Sequence, residues 1–403
     1  MQAGRVWRDS KQALKEIDFG LDVFFSKISL ILLYRSRNIM KKTQDKKKHS
    51  KLKILGIVLL CLFILMIVGW GAFSISIYNE NFNQRFESYE PLMFRVEDFE
   101  GLNLTEYEFT SDKGQKLAGY WYSAGENQHG IIVLAHGFGG GGHNSYMDVA
   151  NFFAQHGYYV FTYDATGNDK SEGEGVGGVP QGQIDLDYAV SFVEESGDFP
   201  KLPIGLFGHS WGGYSVCSVL TFHPEVKAVI ECSGCNSSAD LFEGGGKKQA
   251  GDVIYTMMPF VRLHELIHYG KYAANSALDG FEASDAAIMV VHSEDDNVVS
   301  IEYGLEKYYE KYKDDPRFVF KRLKDKGHNH IYNDMSYINA FNAEFDKWLT
   351  TLNYDYNAAE NKERFINDKS DYIHTHLDRN EWANTLNEEM FNEFLAFYDK
   401  HIS

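Results

Sequence analysis

Ile204-Gly-Leu-Phe-Gly-His-Ser-Trp-Gly-Gly213 changes character at its midpoint. Its first four residues form a short apolar run of the kind that makes a buried strand, and from Gly212 to Phe222 the pattern is helical. The string Gly208-His-Ser-Trp-Gly212 must therefore turn strand into helix within a few residues. Such a turn strains the backbone at the serine, lifts its hydroxyl clear of the sheet, and leaves no room for side chains two residues to either side. Glycine at 208 and 212 meets that requirement. A serine hydroxyl is a weak nucleophile until a base takes its proton. The helix that starts beside it points N–H groups and a positive dipole end at any developing oxyanion. Ser210 is the candidate nucleophile.

Working outward, strands and helices alternate. Two strands come first, Leu104–Thr110 and Lys116–Tyr122, joined by the turn Ser111-Asp-Lys-Gly114. The predicted order continues with strand Gly130–Ala135, a helix near Ser145–Gln155, strand Tyr158–Tyr163 and a helix near Gln183–Glu195. After strand Ile204–Phe207 and its helix come strand Ala228–Cys232, strand Ala287–His292, helix Glu302–Tyr312 and strand Phe318–Leu323. Short Val/Ile/Phe-rich runs separated by helical periods imply an α/β class protein, a mostly parallel sheet with helices on both faces. Residues 236–284 break the alternation and are too long for an ordinary connection, so they read as an inserted helical lid. Residues 353–403 form an acidic helical extension. Met390, Phe391, Phe394, Leu395 and Tyr398 give its last helix an apolar face able to pack back on the sheet.

In this order the chain resembles the α/β-hydrolase superfamily, in particular its lipase/esterase-like and serine aminopeptidase-like branch, over about residues 103–345. His136-Gly-Phe-Gly139, at the end of strand Gly130–Ala135, looks like the oxyanion loop of that family. The resemblance implies an oxyanion hole made by the backbone N–H groups of Phe138 and Trp211. Asp164-Ala-Thr-Gly-Asn-Asp-Lys-Ser-Glu-Gly173 is similar to the loop after the next strand, without the usual arginine. The family's acid follows the next-to-last strand, where Ser293-Glu-Asp-Asp-Asn-Val-Val299 offers three consecutive carboxylates. Counting by the family spacing from Ser293, which stands where glycine is usual, places the acid at Asp296 and closes the turn with Val299. Glu294 and Asp295 are then solvated or loop-capping. The base follows the last strand, in Lys324-Asp-Lys-Gly-His-Asn-His330. His328 after Gly327 matches the family's Gly-His loop, with His330 as its rival. A histidine titrating near neutrality can take the serine proton and return it to a leaving group.

Two other patterns compete. Gly137-Phe-Gly-Gly-Gly-Gly142 satisfies the dinucleotide-binding string, with Asp164 near a ribose-binding position. It leaves the serine turn unexplained, however, and two strands precede it where the first strand is usual. Cys232-Ser-Gly-Cys235 lacks a second pair and supports neither zinc nor redox chemistry.

The 403 residues carry a formal charge of −18, unevenly placed. Residues 1–53 hold fourteen lysines and arginines against five acidic residues, a net of +9, so the remaining 350 carry −27. So acidic a body excludes nucleic acid as partner. The basic head runs into twenty uncharged apolar residues, Ile54–Phe73, enough to cross the ~30 Å hydrocarbon layer. The expected organisation is a basic segment 1–53, a transmembrane helix 54–76, a stalk 77–100 and the hydrolase domain 101–403. The lysines before the run place the N-terminus in the cytoplasm and the domain outside; cleavage of a signal peptide and secretion is the alternative. Met40 heads a typical short basic leader, an alternative start that leaves residues 1–39 outside the natural product, and their apolar stretch Val23–Tyr34 is too short to span. A domain beginning near residue 79 is expected to be soluble and active.

The reading is a serine hydrolase cleaving carboxylic esters through Ser210, His328 and Asp296, with no metal or organic cofactor. A peptidase on the same fold is the runner-up, and a non-catalytic binding module the remote third. The expected partners are a small ester or short peptide and the membrane around the N-terminal helix.

Overall fold

The computed structural model describes residues 47–402. The basic segment before Lys47, with Met40 and the Val23–Tyr34 stretch, lies outside them. The chain divides into two units, Met1–Trp70 and Gly71–Ser403. The described part of the first is helical and belongs to α1 (Lys47–Phe82), whose side chains from Leu55 to Val68 are largely exposed. By length and composition this helix can cross a membrane.

In the second unit eight strands form one sheet: β1 (Asn103–Thr110), β2 (Lys116–Ser123), β3 (Gly130–Ala135), β4 (Tyr158–Tyr163), β5 (Ile204–His209), β6 (Ala228–Cys232), β7 (Ala287–Ser293) and β8 (Phe318–Leu323). Their order is β1-β2-β4-β3-β5-β6-β7-β8. β1 and β2 pair antiparallel, β2 meets β4 antiparallel, and every later pair is parallel. Strands β3, β5, β6 and β7 are buried along their whole length, as a sheet covered on both faces requires. The crossovers include α2 (Met147–Gln155), α3 (Gln181–Glu195) and α4 (Trp211–Ser218). Chain order reverses around β3, which has β4 on one side and β5 on the other. The crevice beyond the carboxyl ends of β3 and β5 is therefore the topological switch point, where ligands bind in open α/β sheets.

The insertion after β6 is helical: α5 (Ser238–Ala250), α6 (Ile254–Tyr269), α7 (Lys271–Ala274) and α8 (Ala277–Ala283). After β8 come α10 (Met335–Leu349), α11 (Lys362–His376), α12 (Arg379–Ala383) and α13 (Glu388–His401), with α9 (Leu305–Tyr312) lying between β7 and β8. Phe391, Phe394 and Tyr398 of α13 are buried against the sheet, and the Tyr398 hydroxyl donates to the Leu206 carbonyl at 2.6 Å. A Cβ on Gly205 would stand 2.4 Å from Ile402, so glycine in β5 lets the chain end approach the sheet. The intervening helices build a small cluster of their own, with Trp348, Phe345 and Phe341 around Tyr372 and Ile373.

The expected stalk is the main departure. Helix α1 continues to Phe82, and residues 78–99 are part of the folded unit. Tyr78 is fully buried, and its hydroxyl donates to Glu265 at 2.5 Å and accepts from the Val179 N–H at 3.0 Å. Phe94 stacks on Trp382, and Arg379 pairs with Asp98. These partners lie 101 residues or more along the chain, beyond the reach of local patterning.

The segment after α4 is clamped to α3 by His223, which faces Asp187, Glu194 and Glu225 at 2.9, 3.5 and 3.2 Å. Asp187 also accepts from Tyr272. Glu194, His223 and Glu225 have the spacing of a metal site. Both ring nitrogens already face carboxylates, so an imidazolium satisfies the cluster. Burial opposes the charge, but the hydrogen bonds to Asp187 and Glu194 outweigh it and raise the ring to about 10.

Two predictions follow from this packing. Tyr78→Phe leaves Glu265 and the Val179 N–H each short of a partner, so it should lower stability by about 1–3 kcal/mol. A domain starting at residue 79 should melt well below one starting at 71; thermal denaturation of the pair checks this. Because the folded pKa of His223 lies above its unfolded value of ~6.5, its contribution is complete below that pH and is lost as pH rises through about 10. The melting advantage of wild type over His223→Gln should accordingly shrink between pH 6.5 and 10, and an unchanging difference would refute the clamp.

Candidate active site

Ser210 sits between β5 and α4 with φ 59° and ψ −117°, a conformation that side-chain-bearing residues rarely adopt. The turn is sterically closed. A Cβ on Gly208 would come within 2.3 Å of the Gly212 carbonyl oxygen, and one on Gly212 within 2.0 Å of that of Ala135. The Ser210 N–H donates to the Cys232 carbonyl at 2.8 Å, which ties the strained residue to β6.

The structure brings Ser210, His328 and Asp296 together. His328 Nε2 lies 2.8 Å from Ser210 Oγ, and His328 Nδ1 lies 2.7 Å from Asp296 Oδ2. With Nδ1–H donated to the carboxylate, Nε2 is left to accept from the serine hydroxyl. Asp296 is immobilised on its other oxygen, which accepts from the Val298 and Val299 N–H groups at 2.8 and 2.9 Å. Burial opposes its ionisation, but hydrogen bonds from His292 and His328 outweigh this and hold it well below the usual carboxylate range. A lasting negative charge beneath the imidazole is what a general base needs to become transiently cationic.

The rival residues lie elsewhere. Glu294 faces Arg322 and Lys324. Asp295 Oδ1 accepts from Ser293 Oγ and from the N–H groups of Lys326 and Gly327, so it fastens the acid loop to the histidine loop. No triad contact involves His330, whose pKa burial lowers. Asp164 is fully buried and accepts from His143, Tyr120 and Lys170. Its oxygens are thereby committed to holding the loop, which removes the dinucleotide reading. Cys232 and Cys235 are unbonded, and burial pushes both thiols well up, which leaves them inert.

Phe138 and Trp211 flank the serine, their rings edge-to-face at 5.5 Å. The loop carrying Phe138 is pinned at several points. His136 Nε2 accepts from the Ala165 N–H, while Nδ1 lies 2.8 Å from the Gly137 carbonyl. The Gly137 N–H donates to Tyr146 Oη at 3.0 Å, and the Gly142 N–H to Asp169 at 2.7 Å.

Three residues here were not anticipated from the sequence. Tyr146 Oη stands 2.9 Å from His209 Nδ1, and His209 Nε2 lies 2.9 Å from the His328 carbonyl. Burial lowers the His209 pKa to about 3, so it stays neutral and joins the Phe138 loop to the His328 loop. His292 Nε2 lies 3.0 Å from the Val299 carbonyl and 3.3 Å from Asp296, a second histidine on the same carboxylate. The available signal was position alone: His209 immediately precedes Ser210, and His292 is the next-to-last residue of β7, just before the loop bearing Asp296.

A cavity of about 280 Å³ opens at Ser210. Its walls include Phe82, Phe138, Leu241 and Val298, with Ser210, His209 and His328 at the reactive end. Leu241 and Gly245 come from α5 of the insertion, which thus covers one side of the site.

The strand order, the strained serine turn and the triad positions define the α/β-hydrolase fold. Residues 126–269 match the family described as Hydrolase_4, serine aminopeptidase S33, roughly a third of the chain. An Escherichia coli relative, an uncharacterized 31.7 kDa protein in the traX-finO intergenic region, is 32% identical over 107 residues, 26% of this chain and 37% of that one. The match therefore spans little more than a third of the relative's length. Among solved structures, an esterase from Pyrococcus furiosus aligns at 18% identity and TM-score 0.48, over 67% of this chain and 97% of its own. Est1E from Butyrivibrio proteoclasticus, solved with ferulic acid, aligns at 17% and 0.45, over 60% and 98%. Pyrococcus horikoshii acylaminoacyl peptidase aligns at 17% and 0.43, over 58% and 39%.

The geometry separates the neighbouring carboxylates by experiment. Asp296→Asn should lower kcat by about 10⁴-fold, since the amide cannot hold the required tautomer. Asp295→Asn keeps its accepting oxygen and should stay within a few-fold of wild type. A severe Asp295→Asn beside a tolerant Asp296→Asn would reverse the assignment.

Proposed function

We propose that this chain is a serine hydrolase that cleaves carboxylic esters through an acyl-enzyme. The observation that carries the reading is the unbroken relay from Ser210 through His328 to Asp296, with contacts of 2.8 and 2.7 Å, at the floor of a mostly apolar cavity. Ser210 Oγ attacks the ester carbonyl as His328 Nε2 takes its proton. The carbonyl oxygen becomes an oxyanion, stabilised by the N–H groups of Phe138 and Trp211 and the N-terminus of α4, an arrangement worth several kcal/mol of barrier. His328 then protonates the departing alkoxide. Water, deprotonated by the same imidazole, attacks the acyl-enzyme and releases the acid, while Asp296 holds the ring in one tautomer throughout.

The peptidase reading rests on the matched family's description. Against an aminopeptidase stands the cavity lining, in which no carboxylate occurs among the described residues to hold a substrate ammonium group. A neutral ester fits these walls better. We read Ile54–Phe73 as an uncleaved anchor with the basic head in the cytoplasm and the catalytic unit outside.

A panel of acyl esters and N-terminally free peptides, assayed on the full-length enzyme, tests the substrate class. Esters should be turned over and free peptides should not. Ser210→Ala should lose about 10³-fold or more in kcat without unfolding. Peptide cleavage outpacing every ester would overturn the ester reading. For the anchor, protease added outside intact cells should digest the catalytic unit and spare the lysine-rich head. A released protein with its N-terminus near residues 71–75 would show the segment to be a signal peptide.

A further inference from the structure

Phe82, the last residue of α1, belongs to the wall of the catalytic cavity. Its ring lies 5.6 Å from Phe138, in the loop beside Ser210, and 6.1 Å from Phe242 of α5. Four residues on, Phe86 closes on the other side of Phe138 at 4.9 Å. Only part of the Phe82 ring is covered by protein, and the remainder faces the cavity with Leu241 and Val298.

The position of that ring is fixed by the three turns of helix before it. Gly71 lies so close to Phe260 of α6 that a Cβ there would stand 2.7 Å from its ring. Ser74 and Tyr78 are fully buried. Tyr78 packs on Phe82 at 5.3 Å, on Phe242 at 5.6 Å and on His264 at 5.8 Å, and its hydroxyl is held by Glu265 and Val179. Residues 71, 74, 78 and 82 recur at helical spacing and form one stripe against the insertion. A tether needs no such stripe, nor a buried hydroxyl partner on its far side. The same stripe clamps α6 and brings α5 to the cavity, so the end of α1 sets the distance between Phe138 and the Leu241 wall.

We propose that Phe82 is a specificity-determining residue of the hydrolase, walling the subsite that takes the apolar chain of the substrate, so that esters with an extended alkyl or aryl chain are preferred to short or charged ones. This rests on the serine-hydrolase reading. Besides Ser210 and His328 the cavity is lined by glycine backbone and by Ser145, Tyr146, His209 and Asn329, and its apolar walls are Phe82, Phe138, Leu241 and Val298. Their contribution grows with the apolar surface that a substrate buries there.

The test uses the full-length enzyme in detergent and two fluorophosphonates that differ only in chain, ethyl and decyl, with labelling rates of wild type, F82A and F82L compared at one detergent concentration. Wild type should label faster with the decyl probe. F82A should slow decyl labelling by about tenfold or more and ethyl labelling by no more than about twofold, and F82L should restore part of the difference. If F82A does not fold, F82L carries the test by a smaller shift of the same ratio. Equal slowing of both probes would mean a merely structural role, and no change in either would mean that Phe82 meets no substrate; both overturn the proposal while leaving the hydrolase intact. Failure of wild type to label with either probe would refute the hydrolase reading and the proposal with it.

Discussion

The site depends on one steric constraint, the contact of the Gly208–Gly212 turn with its own backbone and with the end of β3. With both positions free of side chains, α4 starts directly above β5, and Ser210 is held at φ 59° where its hydroxyl leaves the sheet. The same closeness to Ala135 brings the loop after β3 beside Ser210. Two strands that neighbour each other at the topological switch point thus deliver Ser210 and the loop bearing Phe138 to one place. Asp296 and His328 arrive from the loops after β7 and β8, further along the same edge. Strain at the serine is tolerated because its N–H is bonded to β6 and the surrounding core is fully packed.

Around this turn runs a scaffold of polar contacts between the loops. Tyr146 and His209 join the loop after β3 to the histidine loop, Asp295 joins the acid loop to that same loop, and His292 shares the acid. Their effect is to remove freedom from the loops that hold Ser210, His328 and Asp296 in hydrogen-bonding geometry, as the proposed reaction requires. Asp164 does the same for the loop bearing Phe138, through His143.

Much of the fold was legible because buried parallel strands are short, apolar and separated by helical periods. The ranges read for β3, β4, β6 and β8 coincide with those observed. Placing Asp296 and His328 took more than periodicity: position after β7 and β8 narrowed each choice to one loop, and the family spacing chose within it. Residues 77–100 misled because their partners are remote. Tyr78 meets Glu265, Phe94 meets Trp382 and Asp98 meets Arg379, so local composition showed only scattered aromatics in a polar segment. Tyr146, His209 and His292 escaped for a related reason: a single histidine or tyrosine at a strand end or in a loop carries no signature until the loops are folded over it.

The central claim is that Ser210 is the residue which becomes covalently acylated. Peptide mapping by mass spectrometry, after brief exposure of the full-length enzyme to a fluorophosphonate, tests it most directly. The account predicts a single stoichiometric adduct on the peptide containing Ser210, blocked by prior acylation with a slowly hydrolysed ester. An adduct on any other serine, or none on folded protein, would contradict it.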